Sequence, residues 1–395
     1  MPGKARLSGR DKLALVGLAC AAFIFNTSEF IPIGLLSDIA RDFGVTEARA
    51  GLLISVYAWA VMLLSLPLMM LVSRVELKRL MVGLTLLFAV FQLLSAVAPG
   101  YYALMLARIG VACTHAVFWS IVSPLAVRLV PDRFRPLALS VIVTGSSVAM
   151  VFGLPLGRVI GLYVGWRTTF QCIGAFAFLV CVYLACVLPR VPSRGGFSPR
   201  KLPVLLKNPL LVGIYALTLG VAGAYFTGYS YIEPFLKQVA GMTDEGVTST
   251  LMLFGGMGIA GSVAFSRWYG QHARGFMTLV LLGMAASLAL LRPAAELVPA
   301  VVSLCALWGM VATAFNVSLQ SEIIAHSPQD ATAVSMSIFS GIFNLGIGCG
   351  TWVGGAACTH LSIASVGYVG GAIALAAFAF WRWRVSRLLA GAKGV

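Results

Sequence analysis

The chain has 395 residues, of which 59% are hydrophobic and only 10% are charged, and its formal net charge is +15 at pH 7. A soluble globular domain carries about 25% charged residues, so this composition excludes a soluble enzyme, a disordered chain and a disulfide-stapled secreted domain. A membrane-spanning helix needs about 20 predominantly apolar residues, so the length suits a dozen spans joined by short loops.

Twelve apolar segments with polar or turn-forming ends are predicted to cross the bilayer as helices. In the first half of the chain they are residues 13–37, 48–72, 79–98, 101–129, 136–161 and 168–188. In the second half they are residues 209–235, 246–266, 276–292, 297–321, 331–358 and 362–383. The sequence therefore predicts an all-α integral membrane protein.

The one long connection between spans is rich in Pro, Gly and Arg and has no apolar periodicity. It divides the spans six plus six. We expect an N-terminal six-helix bundle over residues 1–188, a cytoplasmic linker over 189–208 and a C-terminal six-helix bundle over 209–395. In transporters built from two such halves, the substrate site lies near the bilayer midplane.

The basic residues are predicted to lie mainly on one side of the membrane. With a cytoplasmic N-terminus, 21 of the 28 Lys and Arg residues fall in cytoplasmic tails and loops, while Arg158 is among the six placed outside. The positive-inside rule then puts both termini in the cytoplasm. The basic excess therefore indicates orientation and attraction to anionic lipid, and we expect no nucleic-acid partner.

The eight cysteines lie singly inside apolar stretches, and none has C-x-x-C spacing. This pattern is typical of reduced, buried cysteines. We therefore expect neither a metal site nor a disulfide framework, and we expect no cofactor.

Polar residues within the first span indicate function, because an ionisable group in lipid is costly. Asn26, Glu29 and Phe30 lie on one helix face. A buried carboxyl group favours its neutral form, so Glu29 is predicted to exchange the proton of a proton-coupled carrier. The alternative is a structural carboxyl group held by a neighbouring Arg or hydroxyl.

The fourth span carries Arg108, His115 and Trp119 on one face. Arg108 is predicted to pair with a carboxylate or to steady a helix interface. His115 is predicted to take part in proton coupling or to hydrogen-bond a hydroxylated ligand. A satisfied structural histidine is the alternative.

The seventh span aligns Tyr225 and Tyr229, whose rings could stack on a sugar while their hydroxyls hydrogen-bond to it. Tyr231 and Glu233 lie near the outer end of the span, where the membrane interface explains them better.

The tenth span aligns Trp308, Asn316 and Gln320. The two amides are predicted to bind a hydroxylated ligand or to join helices, and Asn344 in span eleven is a further candidate for the cavity lining. Glu322 is expected to be solvated.

Spans one, four, seven and ten each open a group of three spans, and each carries a polar stripe. This recurrence predicts a hydrophilic central cavity that binds a small-molecule substrate. A purely structural membrane protein would not explain it.

Several motifs resemble the major facilitator superfamily. The fifth span reads GSSVAMVFGLPLGRVIG, which is similar to the antiporter motif at Gly145, Gly153, Pro155 and Gly157, and span eleven repeats the Gly-rich pattern. The resemblance implies a twelve-helix fold of two pseudo-symmetric six-helix bundles. Small residues allow close helix approach, and proline bends a helix.

The loop after span two, LVSRVELKRL, is similar to the gating loop of that superfamily. Arg74, Lys78 and Arg79 keep its basic character. Ser73 and Glu76 stand where an aspartate and a glycine are expected, which argues against the usual aspartate-centred cytoplasmic latch.

Long segments of spans one, four, seven and eleven, among them YSYIEPF and FSGIFNLGIG, look like SotB-type sugar efflux transporters of the drug:proton antiporter group. This resemblance implies export of sugars or sugar analogues, such as alkyl thiogalactosides, in exchange for protons by alternating access. It implies a multi-pass protein of the bacterial inner membrane, and we expect a monomer in the lipid bilayer.

The sequence leaves one alternative function open and argues against another. A multidrug:proton antiporter on the same fold would export amphipathic antibiotics. An intramembrane enzyme would need paired aspartates or an H-E-x-x-H motif at membrane depth, and the sequence has neither, so we expect no enzymatic activity.

Overall fold

The computed structural model describes residues 7–192, 205–328 and 332–392, and these residues contain helices and no β-strand. Within the predicted linker, residues 193–204 lie outside the described part. The chain forms two compact units, which we call unit 1 (Met1–Gly34 and Leu63–Phe197) and unit 2 (Leu35–Met62 and Ser198–Val395).

The first eight α-helices run from the N-terminus to the end of the sixth predicted span. They are α1 (Gly9–Gly34), α2 (Leu36–Phe43), α3 (Glu47–Val72), α4 (Leu77–Ala96), α5 (Tyr101–Arg128), α6 (Arg135–Val148), α7 (Leu154–Val164) and α8 (Trp166–Val187). A 3₁₀ turn, Asp132–Phe134, precedes α6, and a π-helical turn, Ala149–Gly153, joins α6 to α7.

The helices of the second half follow from Pro209. They are α9 (Pro209–Tyr229), α10 (Ile232–Gln238), α11 (Asp244–Ala264), α12 (Gly270–Ala289), α13 (Leu291–Ala294), α14 (Val298–His326), α15 (Thr332–His360), α16 (Val366–Phe380) and α17 (Ser386–Ala392). Phe265–Tyr269 and Trp381–Val385 are π-helical turns, and Ile363–Ser365 is a 3₁₀ turn.

Within the described residues, 11 helical runs are long and apolar enough to cross a membrane. One of them, Asp244–Ala289, has 46 residues and is interrupted at His272, whose φ of −134° and ψ of 41° are not helical. This run corresponds to the predicted spans eight and nine. The prediction of an all-α, multi-span membrane protein is therefore confirmed.

Glycines of the fifth span bring α6 and α7 into close contact with α1 in unit 1. The contacting pairs are Gly145 with the Ala19 carbonyl, Gly153 with the Thr27 side chain and Gly157 with the Ile31 side chain. A Cβ at any of these glycines would overlap its partner. The three pairs have the same separation along the chain, so the two helices run parallel in a constant register.

The proline of the same motif lies at the start of α7, directly after the π-helical turn. Pro155 has no backbone N–H and cannot continue the α-helical hydrogen-bond ladder. A π-helical turn changes the hydrogen-bond spacing locally and is common where a helix carries such an irregularity.

Unit 2 contains an equivalent close contact between α9 and α15. Gly350 lies against the Gly223 carbonyl, and Gly354 lies against the Thr227 carbonyl. The Thr227 hydroxyl adds a hydrogen bond to the Gly350 carbonyl, with an oxygen–oxygen distance of 3.1 Å. The Gly-rich segment of span eleven thus allows two helix backbones to approach, as small residues do in membranes.

Spans one and seven are each interrupted near the end that is remote from the chain termini. The backbone leaves the helix at Leu35, with φ −119° and ψ 14°, and at Tyr231, with φ −115° and ψ 14°. Short helices, α2 and α10, follow the two breaks. The matching geometry is what an internal structural repeat would produce.

Candidate functional site

Glu29 and His115 face each other inside unit 1. Glu29 lies on α1 and His115 on α5, and Glu29 Oε2 is 3.6 Å from His115 Nε2. Their side chains are only 10% and 3% exposed. The structure thus brings together two groups that the sequence identified in separate spans. At this separation the carboxyl group and the imidazole interact electrostatically, but the contact is longer than a hydrogen bond.

Arg108 is held close to this pair through the residue that precedes Glu29. Its Nη1 donates to Ser28 Oγ over 3.1 Å, and its Nη2 donates to the Ser28 carbonyl over 2.9 Å. Gln92 Nε2 also donates to Ser28 Oγ. The Arg108 side chain is 1% exposed, so a fixed positive charge lies beside the Glu29 carboxyl group.

Asn26 connects α1 to α6. Its Nδ2 donates to both the carbonyl and the hydroxyl oxygen of Ser146, each at 3.0 Å. Phe30 is half-buried on the same helix, and Trp119 lies one turn beyond His115, with ring centroids 6.0 Å apart. The amide of Asn26 therefore has a structural partner in this structure.

Three residues that contact the predicted groups were not identified from the sequence: Ser28, Gln92 and Ser146. Serines are common in membrane helices, where they hydrogen-bond their own backbone, so Ser28 and Ser146 carried no signal. Gln92 did carry one. It is a single amide within the apolar span three and is fully buried, so it needs a hydrogen-bond partner.

An aromatic cluster lies in unit 2 between α9, α11 and α14. The rings of Tyr225 and Tyr229 stack with centroids 4.8 Å apart, and Tyr229 stacks on Phe254 at the same distance. Trp308 meets all three rings edge-on at 5.6–6.0 Å. Its Nε1 donates to Met284 Sδ over 3.2 Å. Tyr225 and Tyr229 retain 9% and 8% exposure, so the cluster is nearly closed.

The predicted amides of unit 2 form hydrogen bonds within their own helices. Gln320 Nε2 donates to Asn316 Oδ1, one turn away on α14. Asn344 Nδ2 donates to the Ser340 carbonyl over 3.0 Å on α15. Asn316 and Gln320 are half-buried, whereas Asn344 is 7% exposed.

The prediction that Tyr231 and Glu233 lie at the membrane interface is wrong. Both residues are fully buried in the protein. Tyr231 Oη donates to the Thr351 carbonyl over 3.0 Å. Helix α2 packs against this end of span seven, and no local sequence pattern indicates that contact.

The expectation that Glu322 is solvated is also wrong, and the side of the membrane on which Arg158 lies stays a prediction. Glu322 is 6% exposed, accepts a hydrogen bond from Tyr269 Oη and lies 3.2 Å from His326 Nδ1. Arg158 is fully buried, and its Nη1 donates to the Gly34 carbonyl over 2.6 Å. Helix α14 continues to His326, beyond the predicted end of span ten at residue 321, so Glu322 lies within the helix.

The loop after span two is anchored by Glu76. This residue is the N-cap of α4, where its carboxylate accepts the backbone N–H groups of Lys78 and Arg79, and it also accepts the N–H of Val191 over 2.7 Å. Burial acts to raise the pKa of Glu76, but these hydrogen bonds and the Arg79 guanidinium outweigh it and hold the pKa below its ordinary value. Arg74 and Arg79 are exposed, and Lys78 is half-buried.

All eight cysteines are free. Among the described residues, no group of three or more His, Cys, Asp or Glu side chains could hold a metal ion. The polar chemistry of the two units therefore rests on the side chains described above.

A family model described as Major Facilitator Superfamily matches residues 18–346 of this chain. Among solved structures, a bacterial homologue of the human lysosomal transporter Spinster, inward-facing and occupied, is similar with a TM-score of 0.73 at 17% identity, over 95% of this chain and 96% of that one.

Two further structures have the same fold. The inward-facing, unoccupied form of the bacterial Spinster homologue has a TM-score of 0.74 at 14% identity, over 97% of this chain and 98% of that one. The human organic anion transporter MFSD10 (TETRAN) has a TM-score of 0.68 at 14% identity, over 94% of this chain and 98% of that one.

Proposed function

The chain belongs to the major facilitator superfamily and is a multi-pass membrane transporter, and we propose that within this family it is a SotB-type proton antiporter. It exports sugars or sugar analogues, such as alkyl thiogalactosides, in exchange for protons by alternating access. A transporter of this kind needs one group that carries the proton and others that recognise a neutral, hydroxylated substrate.

The contact between Glu29 and His115 is the observation that carries the proposal. Glu29 is the one acid within span one, and its side chain is only 10% exposed. An ionised carboxylate is costly at membrane depth, so such a group favours proton uptake when the site is closed to water. Arg108 opposes this by stabilising the charged form, which allows the proton to leave again.

Recognition of the substrate is assigned to two sets of side chains. In unit 1 we assign it to Asn26, Phe30, His115 and Trp119. In unit 2 we assign it to Tyr225, Tyr229, Asn316, Gln320 and Asn344. Tyrosine and carboxamide side chains both donate and accept hydrogen bonds without carrying a charge, which suits a sugar.

A multidrug:proton antiporter is the second candidate, and the aromatic cluster of unit 2 favours it. Tyr225, Tyr229, Phe254 and Trp308 present mainly apolar rings, which suit amphipathic antibiotics as well as the faces of a sugar ring. Competition binding with a panel of sugars, alkyl thiogalactosides and antibiotics distinguishes the two. Displacement by antibiotics alone would refute sugar export.

We propose a monomer in the bacterial inner membrane with both termini in the cytoplasm. The two six-helix bundles, residues 1–188 and 209–395, and the linker 189–208 are proposed as the functional halves. The basic residues Arg74, Lys78 and Arg79 are assigned to the gating loop, and Gly145, Gly153, Pro155 and Gly157 to the antiporter motif. The positive-inside bias of Lys and Arg supports the orientation.

Glu29→Gln tests the proposal, since it keeps the size of the side chain and removes its titratable proton. In proteoliposomes, we expect this variant to bind substrate but to lose substrate-linked proton movement. Glu245→Gln removes an exposed acid and is the matched control, which should couple normally. Circular dichroism verifies that both variants are folded. Normal coupling in Glu29→Gln would refute the assignment.

A further inference from the structure

A buried carboxylate joins the tip of span seven to the start of α2. Glu233 Oε2 accepts the Ser37 hydroxyl over 2.7 Å and the Ser37 backbone N–H over 3.2 Å. Glu233 lies in α10 and is fully buried. Ser37 lies in the first turn of α2, where the helix dipole also favours a negative charge.

Charged and polar groups surround this contact. Lys237 Nζ lies 3.9 Å from Glu233 Oε1 and 2.8 Å from Asp244 Oδ1. At the end of α10, Gln238 Nε2 donates to Glu47 Oε1 over 2.7 Å at the start of α3. Helix α10 thus contacts the first turn of α2 and the first turn of α3.

The Tyr231 side chain, at the tip of span seven, packs between α3 and α15. A Cβ at Gly51 or at Gly355 would overlap the Tyr231 hydroxyl, so α3 and α15 approach this ring closely on two sides. The packing of α3 and α15 around the Tyr231 side chain is therefore tight.

The segment held by these contacts is Leu35–Met62, which belongs to unit 2 although the chain on either side of it belongs to unit 1. Under the proposed function, on which this inference rests, alternating access requires the contacts at each end of the spans to form and break in turn. Contacts between this segment and α10 are the ones that must break at the end remote from the termini.

We propose that Glu233 and Ser37 form a latch that holds Leu35–Met62 against α10 and that opens once in each transport cycle. Glu233 is a positioning residue, which acts through the segment it holds. A charged latch can open at low cost, because water replaces the hydrogen bonds that the carboxylate loses. Breaking an apolar contact of the same area would expose apolar surface to water, and no new hydrogen bonds would offset that cost.

The test measures how often the latch opens. Leu35 is fully buried while the segment is held, so the thiol of Leu35→Cys should react slowly with a membrane-impermeant maleimide in nanodiscs. Peptide mass spectrometry separates this site from the native cysteines. Adding Ser37→Ala or Glu233→Gln should accelerate labelling about tenfold, which is the scale of one hydrogen bond to a charged group. Ser37→Thr keeps the hydroxyl and should restore slow labelling.

Matched controls are Ser362→Ala and Glu245→Gln, which remove an exposed hydroxyl and an exposed acid and should leave the rate unchanged. Unchanged labelling in Ser37→Ala and Glu233→Gln would overturn the latch. Faster labelling with an equally lowered unfolding temperature, in Ser37→Thr as well, would indicate general loosening and would overturn it too. The assay uses neither substrate nor a proton gradient, so its outcome is separate from that of Glu29→Gln.

Discussion

Ser28→Ala is expected to destabilise the protein more than the loss of an ordinary buried serine. Ser28 Oγ accepts hydrogen bonds from Arg108 on α5 and from Gln92 on α4. Both donors come from other helices and are at most 1% exposed. Removing the hydroxyl leaves two buried donors without this acceptor.

The size of the effect follows from these two bonds. A bond from a charged donor contributes about 1.5–3 kcal/mol, while an interhelical hydrogen bond in a membrane protein averages about 0.6 kcal/mol. The Ser28 carbonyl still accepts Arg108 Nη2, which places the first term at its lower end. We therefore expect a loss of about 2 kcal/mol in the free energy of unfolding.

Equilibrium unfolding in mixed micelles, followed by circular dichroism, measures this loss. The matched control is Ser318→Ala, because Ser318 is also fully buried but its hydroxyl donates to the Ala314 carbonyl within its own helix. That variant should lose about 0.5 kcal/mol or less. Equal losses in the two variants would refute the reasoning that Ser28 joins three helices.

Two further variants test the helix contact and the loop anchor. Gly145→Ala should lose about 1–3 kcal/mol of stability, because its Cβ would meet the rigid Ala19 carbonyl. The control is Gly83→Ala, which has open space around the new Cβ and should lose none. Equal stabilities of the two variants in thermal unfolding would contradict this. Glu76→Ala should lose about 1 kcal/mol at pH 7. The pKa of Glu76 is lowered in the folded protein. The stability difference between the wild type and Glu76→Ala should therefore be complete above about pH 4.3 and vanish as the pH falls through the folded-state pKa. A stability difference that persists in acid would contradict this.

The individual members of the proposed proton site were predictable from the sequence, but their contact was not. The cost of a charge in lipid identifies Glu29, Arg108 and His115 one at a time. Helical periodicity then orders residues along a single span and says nothing about which spans meet. Arg108 was predicted to pair with a carboxylate or to steady a helix interface, and the structure shows that it donates to Ser28 of α1 across the interface between α5 and α1.

The wrong predictions concern the ends of the spans. Tyr231 and Glu233 were predicted to lie at the membrane interface and Glu322 in water, and all three are buried. Hydropathy marks where an apolar run stops, but a helix can continue past that point if neighbouring helices satisfy its polar side chains. The partners come from distant parts of the chain, as with Ser37 for Glu233, so no local pattern reports them.

The glycine contacts between α1 and the fifth span also determine the direction in which the Glu29 side chain points. A helix turns by about 100° per residue, so a single-residue insertion or deletion in α1 ahead of Glu29 would rotate its side chain away from His115. The same change would replace Ile31, which contacts Gly157, by Phe30 after an insertion or by Pro32 after a deletion, so the close fit at Gly157 would be lost. The fifth span therefore fixes the rotation of α1 about its own axis. Insertions or deletions in α1 ahead of Glu29 should be tolerated far less than substitutions.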